Sequence, residues 1–397
     1  VDLPVILKVQ TKSTQESPHT RGGVIMTSII YVGMDVHTTN YTLCCYSMED
    51  DRFFAEVQVE PDAKNILKYL ARIEKQQSRD CRIVCGYEAG CLGYSLYHQL
   101  HAHGIDCVIL APTTMMTKPG KRIKTDRRDA RLISKCLAFH TYSPVYIPTE
   151  VDDAVKEYIR MRDDANSALA RVKQQIIAFC IRHGKIHDGK SYWTNKHLEW
   201  LLSLDLGNKI LSEVLQEYLI RYYQLREQVD MYDMRINELA QAEPYRQKVE
   251  KLGCFRGIAA HTALSFCVEV GDFRRFATAQ QFASYLGLVP GECSSGDKQQ
   301  YTGITKAGNS HLRKLLVETA QVFGRSATKS GKSVALKERQ AKCDSLTVAY
   351  ADKANARLKK KYFKIAMRSK VNIAKTAVAR EMACFIWGMM TDNISCA

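Results

Sequence analysis

No stretch of this chain is apolar for long enough to cross a bilayer. The longest late run, Met382 to Met390, contains Gly388 and falls well short of the about 20 residues that a spanning helix needs. A charged N-terminal segment followed by an apolar core is also missing, so no secretory signal is read. Disulfide chemistry is not implied either, because 14 cysteines spread over 397 residues fit a reducing interior better than a small cross-linked scaffold. Two other signatures fail on inspection. Cys81, Cys85, His98 and His101 have the residue types of a zinc site, but the two cysteines flank a strand pattern whose four residues span about 13 Å, too far for one tetrahedral ion. Ser330-Gly331-Lys332-Ser333 resembles part of a phosphate-binding loop, yet Gly324 lies too far upstream and no buried strand precedes it. The expectation is a soluble cytoplasmic protein that uses neither zinc nor ATP.

Acidic charge is scarce: 57 Lys and Arg face 42 Asp and Glu, for a net charge of +15. Residues 325–397 hold 16 basic and 5 acidic side chains and so carry +11 of that excess. A polyanion-binding C-terminal region follows. The length exceeds what one hydrophobic core usually supports, which predicts several domains.

The first 25 residues mix Pro, Thr, Ser and isolated charges without a period, as a flexible leader would. Strand patterns then run over 29–36, 41–48 and 52–59, and Ile66, Leu67, Leu70 and Ile73 form the apolar stripe of a helix. A strand at 82–87, a helix at 92–103 closed by Gly104, a strand at 106–110 and a helix at 126–139 complete the pattern. Three consecutive strands followed by alternating helices and strands predict a mixed sheet covered by helices, in an RNase H-like, RuvC-like order.

Four carboxylates stand out on that scaffold. Asp35 ends one apolar run, Glu88 ends another, and Asp126 and Asp129 lie in the basic stretch Lys124 to Arg131. A carboxylate at the end of a buried strand is costly unless a positive partner neutralises it, and converging acidic oxygens suit hard divalent cations. Asp35 and Glu88 can meet only if their strands are neighbours and both point to one face. Asp126 and Asp129 share a helical face, with Cβ atoms about 5–6 Å apart. Two metals about 3.5–4 Å apart could then activate the attacking and leaving oxygens of a phosphoryl transfer. Taken singly, the same acids read as a helix cap, a solvated first-turn acid and a strand-end charge.

The motifs Gly33-Met34-Asp35-Val36-His37, Tyr87-Glu88-Ala89-Gly90 and Lys124 to Arg131 resemble the signatures of DEDD transposases of the insertion-sequence one-ten group, relatives of Piv-type DNA invertases. Pro148-Thr149-Glu150 resembles the lead-in to the family's coiled-coil linker. Tyr285 to Pro290, Ser294-Ser295-Gly296, Gly303 to Asn309 and Leu312-Arg313 resemble its second signature domain. Together the resemblance covers roughly 28–390. It implies Asp35, Glu88, Asp126 and Asp129 as ligands of Mg²⁺, with Mn²⁺ as a substitute, and Ser295 as a nucleophile that forms a covalent phosphoserine. A serine there is otherwise an ordinary turn residue, and Ser294 is its nearest rival. An unperturbed serine is a weak nucleophile, so the resemblance implies a composite site in which metals lower its proton affinity. Partners implied are DNA, as element ends or circular junction and target, and an element-encoded guide RNA. The implied location is the bacterial nucleoid.

Long helical patterns over 151–183 and 208–241 predict an antiparallel hairpin. Its seam is Leu211, Val214, Leu215, Tyr218, Leu225, Val229 and Met231, and intersubunit pairing to a dimer or tetramer is its natural use. An intramolecular arm is the alternative. Residues 247–271 look like two short helices around Gly253 and Gly257, a helix-hairpin-helix pattern whose backbone amides suit phosphate. Lys306, Asn309, His311 and Arg313 are candidate phosphate ligands beside the serine, as are Lys124, Arg127, Arg128 and Arg131 beside the acids. Lys359-Lys360-Lys361 with Tyr362 and Phe363 mixes cations with stackable rings; an amphipathic helix with Ile365 and Met367 inward is compatible.

The domains expected are the leader at 1–25, an α/β RuvC-like catalytic domain at 26–150 and a coiled-coil linker at 151–245. A mostly helical serine-containing domain at 246–330 and a basic helical region at 331–397 follow. The reaction expected is metal-dependent cleavage and rejoining of DNA; the rival is a hydrolytic nuclease or junction resolvase using the same acids with water.

Overall fold

The structure, a computed structural model, describes residues 28–77, 81–115, 125–292, 301–325 and 331–394. The leader, Lys124, Ser294 and Ser295 lie outside these residues. The chain divides into two units, Val1–Ile147 and Pro148–Ala397.

The first unit runs β1 (Ser28–Val36), β2 (Tyr41–Ser47), β3 (Arg52–Val59), α1 (Ala63–Gln76), β4 (Cys81–Glu88), α2 (Ser95–Ala102), β5 (Asp106–Leu110) and α3 (Asp126–Ala138). The strands form one sheet in the order β3-β2-β1-β4-β5. The β1–β2 and β2–β3 pairs are antiparallel, as expected of strands joined by short turns, whereas β1–β4 and β4–β5 are parallel. Central β1 is buried on both faces. Ile30, Val32 and Met34 pack with Ile66, Leu70, Leu96 and Leu100 of α1 and α2, while Tyr31 packs with Ile133 and Leu137 of α3. Alternation therefore turns Tyr31, Gly33 and Asp35 toward α3.

Helix α3 is set by its own residues. Thr125 caps it by accepting a hydrogen bond from the Arg128 amide, Asp126 and Asp129 occupy its first turn, and Ala130, Ile133 and Leu137 form the buried stripe. Acids at a helix start also favour the partial positive charge there. Gly33 lets this helix lie directly on β1.

The second unit begins with α4 (Glu150–Arg182), α5 (Asn195–Leu202) and α6 (Lys209–Gln241). Helices α4 and α6 pair antiparallel: Tyr158 meets Tyr232, and Phe179 meets Tyr218. Between them lie Leu169, Val172, Ile176, Leu215, Leu219, Tyr222 and Val229. Of the seam read from sequence, Leu215 and Val229 are buried, and Leu211, Tyr218 and Leu225 are partly so. Val214 and Met231 instead face outward, 37% and 49% exposed. Helix α5 was not expected.

Helices α7 (Arg246–Gly253), α8 (Ala260–Val270) and α9 (Ala279–Tyr285) follow. Next come the β6 (Pro290–Glu292) and β7 (Tyr301–Ile304) pair, α10 (Ser310–Gly324), α11 (Val334–Gln340), α12 (Ser345–Ala366) and α13 (Val371–Met390). One core of Phe255, Phe266, Phe282, Phe323, Leu358 and Ile386 runs through them and takes in Val155 and Ile236 from the arm's root. The basic C-terminal helices thus share a core with the segment read as the serine domain.

Candidate metal centre and nucleic-acid contacts

The register of β1 on β4 pairs Gly33 with Gly86 and Met34 with Tyr87. Asp35 and Glu88 are the next residues along the two strands, and Glu88 is the last of β4. Glu88 shares the parity of Val84 and Gly86, which face α3. Parity thus puts both strand-end acids on the face of the sheet that α3 covers, while the acids that act on the Asp35 carboxyl are Asp129 and Asp126.

Asp35 and Asp126 come together with His37: one ligand atom from each lies within 4.8 Å of the others. Among the described residues this is the group of three or more His, Cys, Asp or Glu that meets that spacing, and Glu88 and Asp129 are outside it. His37 Nε2 stands 3.2 Å from Asp35 Oδ2. Burial pushes the Asp35 carboxyl above its usual value, His37 pulls it back, and Asp129 and Asp126 add repulsion that raises it again. A hard divalent cation would remove that repulsion, and the two carboxylates are the oxygen donors it takes, while the His37 imidazole is the softer member of the group. The residues present fit a metal. His37 was quoted in the sequence motif without a role; a histidine leaving a strand has no spacing signal, and only the fold shows its ring against Asp35.

The predicted cations stand in varied settings. Arg127 and Arg131 both reach Glu56, at 3.2 Å and 2.7 Å; Arg131 also lies over the Phe53 ring, and Arg128 is exposed. Lys306 is exposed, whereas Asn309, His311 and Arg313 are engaged inside the second unit rather than held out to a ligand. Asn309 caps α10 and donates to Glu269. His311 bridges Glu269 and Asp163, the latter at 2.7 Å. Arg313 donates to the carbonyls of Leu286 and Ala307. Glu269, Asp163 and Leu286 are far away in sequence, which is why spacing did not reveal them.

The glycine turn read as a helix-hairpin-helix also looks inward. A Cβ on Gly257 would crowd Thr319 and Val322 of α10, and the Arg256 amide donates to Asn355 Oδ1 at 2.9 Å. In the basic tail, Tyr362 is buried, Lys361 pairs with Glu381 at 2.6 Å, Lys359 is half-buried and Lys360 is exposed. Met367, expected inward, is 79% exposed.

Residues 32–181 match the IS110-type DEDD transposase model, and residues 250–338 match the model described as the transposase IS116/IS110/IS902 family. A mixed sheet with an acidic group at the head of its central strand, inside the first of these matches, makes this an α/β protein of the DEDD transposase class. The chain is 36% identical to the putative transposase y4qE of Sinorhizobium fredii over 77% of its own length and 75% of that protein's. It is 32% identical to the transposase for insertion sequence element IS1533 of Leptospira borgpetersenii, over 84% of this chain and 95% of that one. The chain belongs to the IS110/IS116 family of insertion-sequence transposases.

No helix among the described residues is long and apolar enough to cross a membrane.

Proposed function

We propose that this protein moves an insertion sequence by metal-dependent DNA strand cleavage and rejoining, with Asp35, Glu88, Asp126 and Asp129 around Mg²⁺ or Mn²⁺ and Ser295 as nucleophile. The observation that carries the reading is the meeting of Asp35 with Asp126 at the end of β1, with Glu88 one register step away on the same face. A bound divalent ion supplies a Lewis acid for the phosphate oxygens and lowers the proton affinity of an attacking oxygen. Asp35, held by His37 and lifted by burial and its acidic neighbours, is the residue whose charge most needs such an ion. Asp126 and Asp129 approach it from the start of α3, so the helix orients both.

The role of Ser295 rests on its motif. Its Oγ would bond to the scissile phosphorus as the bond from phosphorus to a sugar oxygen breaks, which keeps a phosphodiester for the reverse step where water would lose it. The RNase H-like description of the first unit is supported by the antiparallel β3-β2-β1 half and parallel β4-β5 half of its sheet. Guidance by an element-encoded RNA is supported by the +11 of residues 325–397. Self-association through the arm as a coiled coil is supported by Val214, Met231 and Met234, which stand exposed on α6.

Cleavable element-end DNA incubated with the protein and Mg²⁺, then resolved under denaturing conditions, tests the reading. A protein-linked strand that disappears in Ser295→Ala and in Asp126→Asn is expected. Normal cutting by Ser295→Ala would instead mean a hydrolytic nuclease. RNA recovered with the purified protein and sequenced tests the guide.

A further inference from the structure

The far end of the helical arm carries chemistry that the acidic centre does not use. Where the segment after α4 meets α5, His187, Tyr192 and Trp193 form one ring cluster with His197 and Trp200 of α5. His187 lies 4.8 Å from His197 and 5.1 Å from Trp200, and Tyr192 lies 5.0 Å from His197, centroid to centroid. Interplanar angles of 76°, 50° and 66° make these rings the walls of a box rather than a closed stack. Gly189 permits it, because a Cβ there would overlap His187 Nε2. Trp193 takes a left-handed φ of +63°, which a bulky aromatic adopts only when its surroundings hold it.

The box lines a partly open cavity of about 140 Å³ beside Ile177, Lys185, His187, Tyr192, His197 and Trp200. A cavity of about 150 Å³ accepts a single flat ring. His197 is only 1% exposed, and its Nδ1 accepts a hydrogen bond from the Trp193 amide at 3.3 Å. The proton of the neutral ring therefore sits on Nε2. Burial, reinforced by His187, holds this imidazole below its usual value and favours that neutral form. Among the described residues no hydrogen bond occupies Nε2. With Nδ1 taken by the Trp193 amide, the Nε2 donor is left for a group that enters the cavity His197 lines.

Charge identifies the ligand. From 182 to 200 the chain holds Arg182, Lys185, Lys190 and Lys196 against Asp188 and Glu199, and Arg182, Lys190 and Lys196 are exposed. Two copies of this tip brought together would set like charges face to face. A ring with hydrogen-bond acceptors, attached to a phosphate backbone, satisfies the box, the donor and the rim together. We propose that the arm tip is a pocket for an unpaired nucleobase, stacked between Tyr192 and Trp200 and accepting from His197 Nε2, with the flanking phosphates on Lys185, Lys190 and Lys196. The pocket is independent of the acidic centre and of the role assigned to Ser295.

Photo-crosslinking of the full chain tests this, using 5-iodouridine placed in a short single-stranded RNA, the same sequence as single-stranded DNA, and a DNA duplex. Peptide mapping should place the single-strand crosslinks on Tyr192 or Trp200, with little from the duplex; the stronger single strand names the natural source. Tyr192→Ala should weaken single-strand binding by about 5- to 160-fold, the range one stacked base supplies, with an unchanged melting temperature. Crosslinks that map elsewhere would overturn the proposal whether or not the variant folds. So would Tyr192→Ala protein that binds the probes as wild type does but loses mass in solution, since the tip would then seat a second copy of the chain.

Discussion

Gly33 of β1 lies so close under the Ala130 carbonyl of α3 that a Cβ on Gly33 would overlap that oxygen. The Ser134 amide nitrogen crowds the same point. Both obstacles are backbone and cannot rotate aside. Because α3 brings Asp126 and Asp129 to Asp35, the glycine sets how near the acids come. Gly33→Ala should therefore lift α3 off the sheet, at a cost of about 3 kcal/mol, the upper end of ordinary overpacking. Thermal unfolding checks the stability, and a Mn²⁺ titration checks the acids: affinity should fall with it. Unchanged metal binding in a destabilised variant would break the link between the glycine and the centre.

Asp35→Asn separates folding from ion binding. Burial and the nearby Asp129 and Asp126 raise the Asp35 carboxyl, with only His37 opposing them. A group raised in this way favours the folded state when protonated and disfavours it once pH passes the folded value. Replacing it with a neutral isostere should leave the metal-free protein at least as stable near pH 7. Wild-type protein should gain about 2.7 kcal/mol at a metal concentration of 100 times Kd, and the variant should gain almost none. Differential scanning fluorimetry in chelator and in Mg²⁺ or Mn²⁺ gives both readings.

The first unit was largely legible because its signals are local. Alternation and turn residues located the strands within a residue or two, and Asp126 and Asp129 declared their shared helical face by spacing alone. What was hidden depends on distant partners. His37 gains meaning only beside Asp35 and Asp126. Asn309, His311 and Arg313 read as open phosphate ligands until Glu269, Asp163 and two carbonyls fold onto them. Val214 and Met231 have the period of a seam, but the rotation of α6 against α4 turns them outward. The aromatic box needs a left-handed Trp193 that no propensity rule would assign.

His311 gives the second unit a pH dependence with a defined sign. Burial alone would lower its pKa, but hydrogen bonds to Asp163 and Glu269 outweigh burial and hold it up at about 9. Stability from this group is complete below the unfolded histidine value, about 6.5, and is lost as pH rises through about 9. Partial burial would raise Asp163 and Glu269, yet their histidine partners lower both, so their contribution is present above about 4 and fades in acid. The most stable window is then about pH 4.5 to 6.5. Urea unfolding across pH 6 to 10 should show a loss on the order of 2 kcal/mol after allowing for partial solvent screening. His311→Gln should be weaker at pH 6 and flatter above it; an unaltered slope would remove His311 as the cause.

Arg162 ties that network to the arm. Its Nε and Nη2 donate to the two oxygens of Asp233 across the α4–α6 pair, at 2.7 and 3.0 Å. Its Nη1 donates to Asp163 Oδ1 at 3.1 Å, and His261 Nε2 stands 3.0 Å from the same oxygen without hydrogen-bond geometry. One planar guanidinium thus holds the two arm helices together and fixes the carboxylate that holds His311. Lysine keeps the charge but cannot make the paired bonds. Arg162→Lys should cost about 1–2 kcal/mol, since charge-assisted hydrogen bonds are lost while a cation remains. The double variant with His311→Gln should depart from additivity by at least about 0.5 kcal/mol, because both side chains meet on Asp163. Strict additivity in urea unfolding would mean that Arg162 serves only the arm, and that Asp163 is held without it.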